Sequence, residues 1–354
     1  MSAAIPATMA AAVLKGKQQL VVDDVAVPDV VAGTVLVEVS HCGVCGSDLH
    51  MVMEGWGRPG SIGGHEWSGT VVAVGDGVDS WHVGDEIVGG PDPRCGECEP
   101  CRAGRPSLCM TRETPGTHQS HGAFTRYVLA DERSLVPVPA GLTLRQAALT
   151  EPLAVALHGI TLSGITAGQS AIVHGAGPIG ALVIAALKAR GIEQVKVSET
   201  SPVRRELARR LGAAPVVAPD ELDHPGPMDP GRIIADAVDI AFECSGHGSA
   251  MEAALAQLKR GGTLVLVGAG MASPRFNPNR ILLNELVITG SFCYDATGYD
   301  DALALLTSGL LPLDVLVESD DVALADLLPT MHRLAAGEVG GKVLVVPDRG
   351  GADG

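Results

Sequence analysis

The chain has 354 residues, enough for two domains at about 150 residues each. Its formal charge of −16 lacks the basic footprint that nucleic acid or an anionic membrane surface demands, which excludes both as partners. Apolar residues make up 46% of the chain but aromatics only 3%, so aliphatic side chains fill the cores and 45 glycines shape the turns.

Residues 1–8 read as a short tail before a first strand. The N-terminus has no basic residue ahead of its apolar part, which argues against a secretory signal and for a cytoplasmic protein. The first third is expected to be β-rich. "GTVLVEVSHCG", "GTVVAVGDGV", "DEIVGG" and "FTRYVLA" are short β-branched runs punctuated by Gly and Asp. From about Leu157 the rhythm changes. "SAIVHGAGPIGALVIAALKARG" passes from an apolar run through glycines into a helix-period segment. Lys188 interrupts that segment, and no stretch reaches the roughly 18–20 apolar residues of a membrane span. A strand "QVKVSE" follows, then a helix "SPVRRELARRLGA" with Ser201 as N-cap and Pro202 at its first position, and a strand "VVA". Next come "VDIAFECSG", a helix over "SAMEAALAQLKRGG", "TLVLVGAG" and "LVITGSF". Strands that are apolar throughout and alternate with helices predict a parallel sheet covered on both faces. Residues 217–232 read as a loop within this region. Two further helices, "GYDDALALLTSG" and "ALADLLPTMHRLAAGE", lead to a final strand "KVLVV" and a disordered tail "DRGGADG".

Eight cysteines are too dilute for a disulfide scaffold, but four of them fall within fifteen residues. Cys95, Cys98, Cys101 and Cys109 have spacings from which short loops can close a tetrahedral thiolate shell around zinc. With four sulfurs and no open position, that site is structural. The fourth spacing disfavours a ferredoxin-type iron–sulfur cluster.

"GAGPIG" matches the dinucleotide fingerprint and sits between an expected strand and an expected helix. Gly175 makes the tight turn, Gly177 lets a pyrophosphate approach the helix N-terminus, and Gly180 lets the helix lie against the sheet. Glu199 ends the next strand, where a carboxylate accepts hydrogen bonds from ribose hydroxyls and repels a 2′-phosphate. NAD is therefore expected over NADP. Arg204 and Arg205 on the following helix oppose that preference, since a guanidinium there could hold the phosphate. Cys45, His65, Glu66 and Glu151 are further candidates, but their separations along the chain do not establish that they converge.

Taken together, "CGVCGSDLH", "GHEWSGTVVAVGDGV", the four-cysteine lobe, "EPLAVALHG", "GAGPIG" and "ECSG" resemble the zinc-containing medium-chain dehydrogenases, over about residues 9–347. A carboxylate at Glu151, where the horse-liver type has cysteine, resembles the sorbitol and threonine dehydrogenase branch. The resemblance implies an α/β fold: a GroES-like β-rich catalytic domain from residues 1–157 and 298–354, with a structural zinc lobe at 91–112. A doubly wound Rossmann domain with a parallel sheet, 158–297, is inserted between them, and the active site lies in the cleft.

The resemblance also implies a catalytic zinc held by Cys45 and His65, with Glu66 or Glu151 completing the shell, and hence two zincs per chain. Hydride passes between an alcohol or polyol and NAD, zinc polarises the substrate oxygen, and Ser47 and His50 carry the proton outward. Asp48 is a supporting partner, and Trp56 a candidate pocket-lining residue. Cofactor contacts are implied for Gly175, Gly177, Pro178, Ile179, Gly180, Glu199, Arg204, Val267 and Ser291. The implied partners are a small-molecule alcohol or ketone and other copies of the chain, as a dimer or tetramer. Cys42, Cys244 and Cys293 are expected to be small buried thiols, and His118 and His121 surface-loop residues. The competing reading is a non-catalytic, zinc-stabilised ligand-binding protein on the same fold. It should have lost Cys45, Ser47, His50, His65 or Glu151, and all five are present.

Overall fold

Three sheets organise the chain in a computed structural model that describes residues 5–89, 95–111, 122–226 and 228–347. His118, His121, the tail from Asp348, and residues 91–94 and 112 of the expected metal lobe lie outside the described residues.

The six-stranded sheet is parallel throughout and runs in the spatial order Val216–Val217, Gln194–Ser198, Ser170–His174, Val238–Glu243, Leu258–Leu266, Val287–Gly290. That order, counted outward from the central Ser170–His174, is the doubly wound arrangement expected from the alternation. Every residue of Ser170–His174 is buried, as strands covered on both faces require. One boundary differs. The helix expected over residues 249–262 spans Gly248–Ala256, and the chain is already a strand at Leu258, which pairs with Val238. Gly261, at φ +73, and Gly262 favour the extended edge over another helical turn.

A seven-stranded sheet forms the second unit. Its path is Val322–Ala323, Leu344–Val346, Thr34–Gly43, Glu66–Val74, Glu86–Gly89, Leu135–Pro137, with Tyr127–Asp131 also on Thr34–Gly43. A hairpin of Thr8–Gly16 and Gln19–Ala26 stands beside it. The last strand decides the site, because Leu344 pairs with Gly43 and Val345 with Cys42. The C-terminus is thus inserted beside the segment that leads into Cys45.

Between the sheets runs a helix, Thr150–Ser163, that has no separate signal in the sequence. Eleven of its fourteen residues are buried. It packs in one core with Val88, Leu142, Val173, Ala181 and Leu303. The boundary expected at 157/158 falls in the middle of it.

Candidate active site

Cys45 is the N-cap of a four-residue helix, Gly46–Leu49, directly after the strand Thr34–Gly43. Asp48 Oδ2 accepts a hydrogen bond from the Cys45 amide at 2.9 Å, and Oδ1 one from the Gly64 amide at 3.2 Å. The 1%-exposed Asp48 therefore ties together the two loops that carry Cys45 and His65. Its Oδ1 is 3.8 Å from His65 Nδ1, orienting the ring so that Nε2 faces away from it.

Glu66 begins the strand Glu66–Val74 and pairs in register with Gly43. A Cβ at position 43 would overlap the Glu66 carboxylate, so glycine is what lets that side chain turn inward. One donor atom each from Cys45, His65 and Glu66 lies within 4.8 Å of the others. Glu151, in the first turn of Thr150–Ser163, is buried nearby but falls outside that group. Ser47 Oγ is 3.5 Å from His65 Nε2.

The donors are also electrostatically suited to a cation. Burial pushes the His65 imidazole down, but Asp48, Cys45 and Glu151 more than offset it, and the net displacement is well upward. Lys342 answers part of this negative charge. Its Nζ donates to Glu66 Oε1 at 2.8 Å, Glu66 Oε2 at 2.7 Å and the Val44 carbonyl at 3.1 Å. Lys342 carries no motif and was not singled out from the sequence. Only the pairing of Leu344–Val346 with Thr34–Gly43 brings it there.

Burial pushes the Glu151 carboxyl up to about 7, with His65 pulling it down and Glu66 raising it again. The folded state then holds this proton more tightly than the unfolded chain, so its contribution falls as pH rises from 4.5 towards 7. In chelator-stripped protein, Glu151→Gln is expected to exceed wild type by roughly 2–3 kcal/mol at about pH 8 and to match it below about pH 4. Denaturant titrations at the two pH values check this, and a difference independent of pH would contradict it.

The four-cysteine lobe is assembled by the short helix Glu99–Arg102 and the turn Pro106–Leu108. Cys95, Cys98, Cys101 and Cys109 each place sulfur within 4.8 Å of the others. Cys95 Sγ is 3.5 Å from Cys109 Sγ and 3.9 Å from Cys101 Sγ. A tetrahedron with zinc–sulfur arms of about 2.3 Å has edges of about 3.8 Å, so this set fits zinc.

The cofactor region is equally local. Gly175 adopts φ +86, which favours glycine, and a Cβ on Gly180 would overlap the Gly175 carbonyl. Gly177 caps the helix Pro178–Ala189, with Pro178 and Ile179 in its first turn. Glu199 accepts from the Ala176 amide at 2.6 Å and the Ser201 amide at 2.7 Å, fastening the glycine loop to the next strand. Arg204 donates to the carbonyls of Leu334 at 2.7 Å and Val339 at 3.0 Å, and its Nη1 lies beside Gly177. Two of its guanidinium nitrogens therefore bind the C-terminal segment and are directed neither to solvent nor to a phosphate. Arg205 likewise donates to the Glu199 and Thr200 carbonyls. Val267 and Ser291 follow the C-terminal ends of two parallel strands and flank Gly159. Ser291 Oγ is buried with no hydrogen-bond partner among the described residues, as fits a hydroxyl awaiting a ligand's polar group. Cys42 is buried, whereas Cys244 and Cys293 are half-buried.

His50 bridges the two units. Its Nε2 is 3.0 Å from the Ala269 carbonyl oxygen, two residues beyond Val267. Trp56 stacks on the His50 ring.

Residues 31–140 match the family described as alcohol dehydrogenase GroES-like domain, and residues 178–308 match zinc-binding dehydrogenase. Sorbitol dehydrogenase of Bacillus subtilis (strain 168) is 33% identical over 360 residues, covering 99% of this chain and 100% of that protein. The structure of 2R,3R-butanediol dehydrogenase from Bacillus subtilis is 32% identical with a TM-score of 0.84, covering 96% of this chain and 100% of that one. A protein described as a zinc-binding dehydrogenase from Sinorhizobium meliloti 1021, solved with NADP, gives 32% and 0.85, covering 97% and 100%. With a relative one-third identical along its whole length, the chain belongs to the zinc-binding medium-chain dehydrogenases, the alcohol and polyol oxidoreductases.

Proposed function

We propose that the protein is a zinc-dependent dehydrogenase moving a hydride between NAD and a hydroxyl-bearing carbon of a polyol or vicinal diol. The observation that carries this is the convergence of Cys45, His65 and Glu66, with Ser47 beside His65. The likeness to a sorbitol dehydrogenase and a butanediol dehydrogenase supports the substrate class.

Cys45, His65 and Glu66 would hold the catalytic zinc, with Glu151 the neighbouring carboxyl, and the four-cysteine lobe a second zinc. The bound metal would supply Lewis acidity towards the substrate oxygen and the bound nicotinamide a hydride acceptor. The Ser47 hydroxyl, which both donates and accepts, takes the substrate's proton, and His50 moves it outward. Asp48 holds Cys45 and His65 in register. Gly175 to Gly180 receive the pyrophosphate, Glu199 the adenosine ribose, and Val267 and Ser291 the nicotinamide end. Arg204 lies beside that pyrophosphate position but is anchored to the C-terminal segment.

This reading places residues 1–157 and 298–354 in the catalytic unit and 158–297 in the cofactor unit, supported by two large sheets that share no strand. A homo-oligomer is proposed as well. The strand Val287–Gly290 ends its sheet beside exposed Leu282, Leu283 and Val287, an edge that invites pairing. Eight cysteines, none of them in a disulfide among the described residues, support a reducing, cytoplasmic location. Among the described residues no helix is long and apolar enough to cross a membrane.

The test is NADH and NADPH formation over a panel of polyols and secondary alcohols, with metal analysis of the same preparation. Turnover with polyols, a higher kcat/KM with NAD and about two zincs per chain are expected. Zinc-replete protein inert towards the whole panel would overturn the reading, and a preference for NADP would overturn the assignment of Glu199.

A further inference from the structure

Glu66 enters the cleft already paired. Lys342 Nζ donates to both of its oxygens, at 2.7 and 2.8 Å, and to the Val44 carbonyl at 3.1 Å, so all three ammonium protons are engaged. At 0% and 1% exposed, the two groups answer each other's charge away from bulk water. The carboxylate does not depend on this lysine for its direction. Glu66 faces Gly43 in register, and a Cβ on Gly43 would overlap Glu66 Oε2, so backbone encloses the side chain there. What Lys342 adds is chiefly charge. Zinc–carboxylate bonds run about 2.0–2.2 Å, so an ion held by either oxygen would lie within about 5 Å of the ammonium. Repulsion between one and two positive charges at that separation weakens binding about ten-fold or more, even at the dielectric constant of bulk water.

We propose that Lys342 is the counter-ion of Glu66 in the metal-free protein, and that it loosens the catalytic zinc by sharing that carboxylate with it. The inference rests on Glu66 as a zinc donor, the reading given above. Lys342 acts through Glu66 and is therefore a positioning residue. A carboxylate that also accepts from an ammonium gives less charge to the metal, which leaves more of the ion's charge for a substrate oxygen.

The test uses the zinc-loaded protein, dialysed against a graded series of zinc-buffered chelator solutions and then analysed for metal. Wild type is compared with Lys342→Met, Lys342→Gln and the double variant Lys342→Met with Glu66→Gln. Cys45→Ser identifies the step that belongs to the four-cysteine lobe. The free zinc that half-fills the cleft is expected to fall at least about ten-fold in Lys342→Met and in Lys342→Gln, with the lobe's step within about two-fold of wild type. A residue serving the fold alone would leave that affinity unchanged or weaken it. The double variant, without the carboxylate, should bind at least about ten-fold more weakly than Lys342→Met. Both single variants should fold when zinc is supplied, because the ion then becomes the counter-charge of Glu66. Zinc should also raise their melting temperatures by more than it raises that of wild type.

Cleft affinity unchanged or weaker in either single variant, with the double variant weaker still, overturns the role of Lys342 and leaves the donor set standing. A double variant that binds like Lys342→Met means that Glu66 is no donor, and the reading above then falls together with the inference. Failure of both single variants to fold in the presence of zinc overturns the proposal as well.

Discussion

Lys342→Met is expected to destabilise the metal-free protein by about 3–5 kcal/mol, the loss typical when one partner of a buried ion pair is removed. Lys342 and Glu66 are 1% and 0% exposed, and the ammonium donates to both carboxylate oxygens and to the Val44 carbonyl. Burial alone would lower a lysine. Here Glu66, Cys45 and Glu151 outweigh it and hold Lys342 above its ordinary value, so its ammonium stays charged across the neutral range. Methionine preserves much of the stem's volume but leaves Glu66 without a counter-charge in a dry interior, where water cannot replace the lost bonds. The melting temperature should fall by roughly 8–15 °C. The double variant Lys342→Met with Glu66→Gln removes both charges and should recover about half or more of the loss, which a double-mutant cycle would report as strong coupling. A single variant that melts with wild type would show that the pair contributes nothing to the fold.

That residue also marks the limit of what the sequence discloses. The four-cysteine lobe and the glycine fingerprint were readable because their chemistry is local: the ligands or glycines lie within a few residues and the spacing itself carries the geometry. Cys45, His65 and Glu66 were readable as residues, but their convergence depends on strands pairing across the chain, with Gly43 opposite Glu66 and Asp48 reaching Gly64. Lys342 looks like an ordinary strand-start lysine in "GGKVLVV". Its partner is 276 positions away, and only the register of Val345 with Cys42 joins them. The helix Thr150–Ser163 escaped for a different reason. Buried on nearly every side, it has no polar stripe to give a 3.6-residue period, so its sequence reads as an undifferentiated apolar run. The π-helical turn His50–Glu54, which begins at the residue that reaches the Ala269 carbonyl, has no sequence signature either.

The sharpest separation of the two metal sites comes from Cys45→Ser and Cys98→Ser. Cys45 has its amide fixed by Asp48 and its sulfur beside His65 and Glu66, and it belongs to no core whose collapse would follow its loss. Cys45→Ser is expected to lower kcat by at least about 10³-fold, because the group that activates the substrate oxygen is no longer held. Zinc should drop from about two to about one per chain, with the melting temperature within about 3 °C of wild type. Among the described residues Cys98 has no hydrogen bond to a cleft residue. Its backbone amide points at Cys95 Sγ, and its sulfur completes a set whose Cys95–Cys101 and Cys95–Cys109 edges are close to those of a zinc tetrahedron. Among its described residues the lobe has only a four-residue helix and one short turn of its own, so the metal would take the place of a hydrophobic core there. Cys98→Ser should therefore also lose one zinc, but with lower stability or soluble yield, and with the turnover of the remaining folded molecules largely kept. Metal analysis alone cannot distinguish the two variants, since each loses one ion. The division of roles rests on kcat and melting temperature moving in opposite members of the pair, and two variants with the same profile would mean that the lobe and the cleft are not separate sites.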